Sequence, residues 1–293
     1  MTAPPSLPFT LAARGWRGVA LALTLAGALA IAGTYLTFSN TNDEPAHIAA
    51  GMQWLAGNRG YDSRHPPLGR IAAAITPYLN GDRALGASSP TEEGTRLLGR
   101  STHYRTTLAL ARLGELPFFF LLCVVVWAWG RRLTDERGGA VAVLLLVTNP
   151  NVLAHAGLAT TDIALAATIA ATLFAFVAWL DAPEWTSALA LGIALALALV
   201  TDFASVPMLA LACPAIYSVR RRASGAPLWA DDARWRGWLA VSVTVIASII
   251  TWWAVYGFAV GPLIEGSAFV VPAPAWFHGL VAYFTESTSA HPA

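Results

Sequence analysis

Lysine is absent from this chain: all 18 basic residues are arginine, and 17 acidic residues leave a net charge of +1. So even a balance provides no global field to draw in nucleic acid, which is excluded as a partner; any electrostatic asymmetry is local. Charge of either sign is also scarce, at 12% of residues against roughly 25% in ordinary globular chains. That is too little to cover the surface of a water-soluble fold, and the opposite of the signature of disorder. Cysteine is limited to Cys123 and Cys213, both inside apolar runs, which argues against a disulfide framework or a zinc cluster. What the chain has in abundance is apolar: 56% of residues are hydrophobic and mean hydropathy is +0.55. The composition predicts a polytopic membrane protein in a lipid bilayer.

Crossing about 30 Å of hydrocarbon takes about 20 helical residues. Seven stretches qualify or nearly so, at 17–38, 106–129, 139–157, 160–180, 186–201, 203–219 and 238–260, the third interrupted by Asn149-Pro150. The expected fold is an all-α transmembrane helical bundle of about seven spans, a single membrane domain over 1–293. The first span, preceded by Arg14 and Arg17, is too long for a cleavable signal peptide and reads as a retained anchor. If the spans alternate, Arg14, Arg17, Arg131, Arg132, Arg137, Arg220, Arg221, Arg222, Arg234 and Arg236 all fall on one side. By the positive-inside rule that side is the cytoplasm, with the N-terminus there. The other side receives a first outer loop at 39–105, the junctions near Asp162 and Asp202, the stretch 261–293, and all six histidines.

The outer loop opens Asn42-Asp43-Glu44-Pro45-Ala46-His47. Asn42 or Asp43 suits a helix cap, Pro45 the first turn, and Ile48, Met52 and Leu55 recur at helical spacing, which predicts an amphipathic helix on the membrane surface. The stiff turn Arg64-His65-Pro66-Pro67 precedes a second short helix at about 68–79, and 80–104 reads as a mobile polar loop. Asp43 and Glu44 fit two compatible readings: acidic residues favoured at a helix N-terminus, or a general base and cation-binding carboxylate. Asp162 is either a cap of the fourth span or an ionisable site residue at the bundle edge, and Asp202 reads as a cap of the sixth. Arg112 and Glu115, three apart inside the second span, are expected to neutralise each other.

Asp43-Glu44 after a first span, the His65-Pro66-Pro67-Leu68 turn, and Ala159-Thr160-Thr161-Asp162 opening a later span together resemble the N-terminal part of the dolichyl-phosphate-mannose protein mannosyltransferase family, whose broader group includes the bacterial aminoarabinose transferases. The resemblance covers most of the chain. It implies an all-helical C-type glycosyltransferase of the bacterial inner membrane, moving a sugar from a polyprenyl-phosphate donor to an acceptor at the outer face. Asp43 inherits the catalytic role, Glu44 orients it or holds a cation, His65 contacts the lipid phosphate, and Asp162 lines the site. Three features depart from the family: Arg64 stands where many relatives have a carboxylate, Asp202 follows Thr201 where a lysine is often found, and the chain stops at His291-Pro292-Ala293, as expected of a truncated protein.

Residue chemistry supports the same reaction. An acceptor needs a base, which Asp43 supplies, and a departing phosphate needs positive charge, which Arg64, His65 and Arg70 supply. A divalent metal ion held by Glu44 and His47 is a further expectation. The competing readings are a transporter or flippase, in which ionisable residues gather near the membrane midplane, and a non-catalytic family member.

Overall fold

The computed structural model describes residues 9–62, 64–100, 103–224, 234–264 and 267–289. His291 and the side chains of Arg14, Arg234 and Arg236 lie outside the described residues. The fold is all-α: among the described residues there are twelve helices and one small hairpin.

The long spans form where apolar residues run without interruption. They are α1 (Phe9–Thr34), α5 (Tyr104–Leu133), α8 (Asp162–Asp181) and α11 (Arg234–Val255). Among the described residues four helices are long and apolar enough to cross a membrane, and a fifth span results if α6 (Glu136–Val147) and α7 (Pro150–Ala156) count together. The break between those two bends the chain by 69° at Asn149-Pro150. Pro150 cannot donate to the preceding turn, and the Asn149 side chain caps the amides of Asn151 and Val152 instead. The remaining two expected spans are helical but do not meet the same measure. α9 (Trp185–Leu199) has 15 residues, and α10 (Ser205–Ser224) ends in Arg220-Arg221-Arg222.

The bundle core is built from Ile31 and Tyr35 of α1 and its end, Phe119 and Cys123 of α5, Val143 of α6, Ala156 of α7, and Ile163 and Ala167 of α8. Above one end of this bundle sits a helical cap: α2 (Glu44–Leu55), α3 (Pro67–Leu79) and α4 (Pro90–Arg100). Its core joins Ile48 and Met52 of α2, Ala73 and Ala74 of α3, and Leu97 and Leu98 of α4 to Leu108 and Ala111 of α5. Glycine makes this packing possible. A Cβ at Gly51 would land on the Arg70 carbonyl, and one at Gly94 on the Pro45 carbonyl, so α3 and α4 approach α2 backbone to backbone.

Two expectations for the outer loop are corrected here. α2 does not lie on a surface with a wet polar face: Ile48, Met52 and even Glu44 are 0% exposed, because α3 and α4 cover it. Of the stretch 80–104, the described residues 80–100 form an ordered connection carrying α4. Its organiser is Glu93, whose buried carboxylate accepts from Gln53 Nε2, Tyr61 Oη and the amides of Leu85 and Ala87, all at 2.8–3.0 Å. Burial raises the Glu93 pKa, but these donors outweigh it and hold the carboxyl below its ordinary value. The stretch after α11 pairs β1 (Val260–Pro262) antiparallel with β2 (Val270–Pro272) and continues into α12 (Pro274–Ser289). Tyr256, Val200 and Ala273 pack there with Trp54 and Leu68, tying this segment to the cap.

Candidate functional site

The residues singled out in the sequence collect at the end of the bundle beneath the cap, where α1 ends and α5 and α8 begin. Glu44 is the structural centre. Its carboxylate receives Arg112 Nε at 2.8 Å and Nη2 at 2.9 Å, a fork-on-fork pair buried on both sides. The amides of Thr41 (2.8 Å) and Ala159 (2.9 Å) and the Thr41 hydroxyl (3.2 Å) donate to the same two oxygens. Burial raises the Glu44 pKa, yet the Arg112 bonds and the two amides pull it below the ordinary carboxylate value. Arg112 spends its other donors on the carbonyls of Tyr35, Phe38 and Ser39, which fixes the chain leaving α1. One ion pair thereby joins the ends of α1 and α2, the middle of the cap–bundle junction and the loop before α8.

This overturns the expected Arg112–Glu115 pair. Side chains on a helix lean toward its N-terminus, so Arg112 reaches away from the residue three positions later and toward the loop carbonyls and Glu44. Glu115 is left 0% exposed, and neither of its carboxyl oxygens has a hydrogen-bond partner among the described residues.

With Glu44 committed, Asp43 is the free carboxylate of the pair. It occupies the N-cap position of α2 in a helical backbone conformation (φ −94°, ψ −25°) and makes no side-chain cap bond. Its side chain is exposed, with Asn42 Nδ2 3.3 Å away as a donor. One turn on, His47 faces His65 with ring centroids 5.2 Å apart and planes at 69°. Burial, and then the neighbouring His65 and Arg70, push the His47 pKa down to about 4, against the opposing pull of Asp62 and Asp43. His47 is therefore neutral at pH 7.

Asp62 holds the other side of this pair, and sequence reasoning passed it over. Its carboxylate is 6% exposed, lies 3.4 Å from His65 Nδ1 and 3.2 Å from Arg70 Nη1, and accepts from the Arg64 amide at 3.0 Å. Burial acts to raise its pKa, but His65, Arg70 and the Arg64 amide win and keep it well below the ordinary carboxylate range. The signal available was the Asp-x-x-His spacing before a double proline, which returns the carboxylate to the imidazole three residues later. Arg70, expected to bind the donor phosphate, lines a small cavity beside this turn but has most of its donors committed. It is 2% exposed and donates to the carbonyls of Pro66, Asp62 and His65, so it braces the turn that presents His65. Arg64, by contrast, has a half-exposed side chain whose Nε lies 3.6 Å from Asp62.

The turn and the cap then meet the C-terminal segment around a small cavity of ≈ 110 Å³, lined by Trp54, Arg59, Asp62, His65, Tyr256 and His278 among others. Arg59 donates to the Tyr256 carbonyl at 2.9 Å. Arg59 carried no signal in the sequence and His278 only its place among the outer-face histidines, since both reach the site through contacts made only in the fold.

Asp162 opens α8 without capping it through its side chain. It accepts from Thr160 Oγ1 at 2.9 Å and lies 3.0 Å from His155 Nδ1, with its side chain 54% exposed. Its segment is tied to both other motifs: Ala159 donates to Glu44, and Thr161 packs against Gly69 beside the double-proline turn. Thr161 also donates to Asp202 at 3.1 Å, and Asp202 accepts from the Ala204 amide, so its carboxylate shapes the turn before α10, which starts at Ser205, rather than capping the helix itself. Asp43, His47, Asp62, Arg64 and His65 thus form one cluster, and Asp162 pairs with His155 in a second whose segment reaches Glu44 through the Ala159 amide.

The residues do not fit a metal held by Glu44 and His47. Five donors already saturate the roughly four lone-pair positions of the Glu44 carboxylate. Among the described residues no group of three or more His, Cys, Asp or Glu side chains is arranged to hold a metal ion.

A family model described as dolichyl-phosphate-mannose-protein mannosyltransferase matches residues 107–253, half of the chain. The matched stretch contains Arg112, Glu115, Asp162 and Asp202, while Asp43, Glu44 and the His65 turn precede it. No curated protein and no solved structure matches the chain.

Proposed function

The chain belongs to the dolichyl-phosphate-mannose-protein mannosyltransferase family and is a membrane glycosyltransferase; from that premise we propose that it transfers a sugar from a polyprenyl-phosphate donor to an acceptor hydroxyl, with Asp43 as general base. The observation that carries this reading is the division of labour between two adjacent carboxylates. Glu44 is buried and saturated, which fixes the backbone, and Asp43 beside it is exposed and free of any cap bond. A base has to touch the acceptor, and Asp43 is the one of the two that can.

In the proposed step the acceptor oxygen attacks the anomeric carbon of the sugar and its proton passes to Asp43. The bond from that carbon to the phosphate oxygen breaks, and the electron pair leaves on polyprenyl phosphate. The anion so released lies near His65 and the exposed Arg64, with Arg59 and His278 across the small cavity as further positive or hydrogen-bonding groups. Neutral His47 sits between Asp43 and His65 and accepts or passes a hydrogen bond without adding a second charge. Asp162 with His155, whose segment is tied to Glu44 through Ala159, is assigned to the sugar or acceptor. The site is proposed to face the outside of a bacterial inner membrane. Arg131, Arg132, Arg137, Arg220, Arg221 and Arg222 gather at the opposite end of the bundle, as cytoplasmic ends do.

The test uses the whole protein in proteoliposomes loaded with radiolabelled polyprenyl-phosphate mannose, the sugar that the family description names. Release of polyprenyl phosphate, enhanced by a membrane extract as a source of acceptor, is expected. Movement of intact donor across the bilayer with no release of polyprenyl phosphate would replace sugar transfer with transport.

A further inference from the structure

The end of the bundle remote from Asp43 holds a second cavity that the transfer reaction does not use. It is a trench of ≈ 270 Å³ between α1, α5 and α6, floored by residues such as Ala20, Phe120, Cys123 and Val143. Leu21 and Val124, its two lips, are 60% and 59% exposed, so it opens sideways toward the hydrocarbon that surrounds the helices.

Cations close one end of the trench. Arg17, which also lines it, pairs with Glu136 at 2.7 Å, and Arg131 reaches the same carboxylate at 3.4 Å while lying 4.6 Å over the Trp127 ring. Arg137 lies 5.7 Å over Trp16 on the neighbouring helix. Asp135 is turned toward the start of α6, where it accepts from the Gly138 amide, and Arg132 is engaged by Asp181. Glu136 is therefore the carboxylate that answers Arg17 and Arg131, and with Arg137 beside them on Trp16 the cluster keeps an excess of positive charge. Two tryptophans stand at the same level, as they do where hydrocarbon meets headgroups.

We propose that this trench binds an anionic phospholipid, one acyl chain lying between Leu21 and Val124 and the phosphate resting on Arg17, Arg131 and Arg137. The shape and charge select this occupant. A soluble anion would leave the apolar walls uncovered, and a zwitterionic lipid would bring its own cation to a place already rich in them. Basic pockets between membrane helices hold acidic headgroups for the same reason. The bound lipid would clamp α1 to α5 and α6, adding to the Arg17–Glu136 bridge that already joins α1 to α6.

The test is retention of lipid by the whole protein released from nanodiscs containing equal amounts of phosphatidylglycerol and phosphatidylcholine, read by native mass spectrometry. Phosphatidylglycerol is expected to be retained in preference. The double variant Arg17→Gln/Arg131→Gln should lower that retention by roughly thirtyfold, about fivefold for each arginine lost. Val124→Trp, which fills the trench from an exposed lip, should lower it without touching a charge, and Leu21→Trp gives the same reading from the opposite helix if that variant does not fold. Equal retention of the two lipids by the wild type would overturn the proposal. So would a preference that survives the arginine changes, or one that survives both tryptophan changes, which would reduce the site to a charged surface.

Discussion

Replacing Arg112 with Gln removes the guanidinium that the architecture of the site depends on. Glu44, 0% exposed, loses two charge-assisted bonds, and the carbonyls of Tyr35, Phe38 and Ser39 lose their donors. Stripping one partner from a buried ion pair costs about 3–5 kcal/mol, because the remaining charge stays desolvated. At roughly 2–4 °C per kcal/mol for a chain of this size, Tm should fall by about 6–20 °C, toward the lower figure for Gln and the upper for Leu. Thermal unfolding in detergent, followed by loss of the monodisperse size-exclusion peak, measures it. The double variant Glu44→Gln/Arg112→Gln should be less damaged than the sum of the two singles, since both charges go together. A Tm for Arg112→Gln within about 1 °C of the wild type would refute the reasoning.

The other predictions concern the groups around this pair. Glu115→Met swaps two unpartnered carboxyl oxygens for an apolar chain of similar size and removes a desolvation penalty of about 1–3 kcal/mol, so Tm should hold or rise; a fall of several degrees would mean that Glu115 has a partner after all. His47 titrates at about 4 in the folded protein against 6.5 when unfolded. The unfolded state binds the extra proton between those values, so stability is complete above pH 6.5 and declines by at most about 3 kcal/mol as pH falls to 4. His47→Asn should flatten that slope in pH-dependent unfolding, and an unchanged slope would remove His47 as its source. Asp62→Asn frees His65 and Arg70 from their shared carboxylate and should raise the KM for the polyprenyl-phosphate donor by about tenfold or more, with partial recovery in Asp62→Glu; an unchanged KM would separate Asp62 from donor binding.

Much of the scaffold was legible in the sequence, because apolar length and proline placement act locally. The break at Asn149-Pro150, the start of α3 at Pro67 and the start of α8 at Asp162 all follow from chain chemistry within a few residues. What was not legible depends on contacts across the fold. Arg112 has a carboxylate three residues away and chooses another 68 residues away, because only the folded chain brings the ends of α1 and α2 within reach of its side chain. The stretch 80–104 looked like a loop for want of apolar length, yet Glu93 collects donors from Gln53, Tyr61 and its own loop and sets α4 in place. Residue chemistry did not separate the neighbours Asp43 and Glu44, which only the family resemblance told apart; in the fold, burial separates them.

The measurement that bears most directly on the account is the transfer rate of Asp43→Asn in proteoliposomes, taken beside its Tm. Loss of a general base should lower kcat by about 10²–10⁴. Because the Asp43 side chain is exposed and makes no cap bond, Tm should stay within about 1 °C. A variant that folds as the wild type does and releases polyprenyl phosphate at the wild-type rate would contradict the assignment of Asp43 as the base.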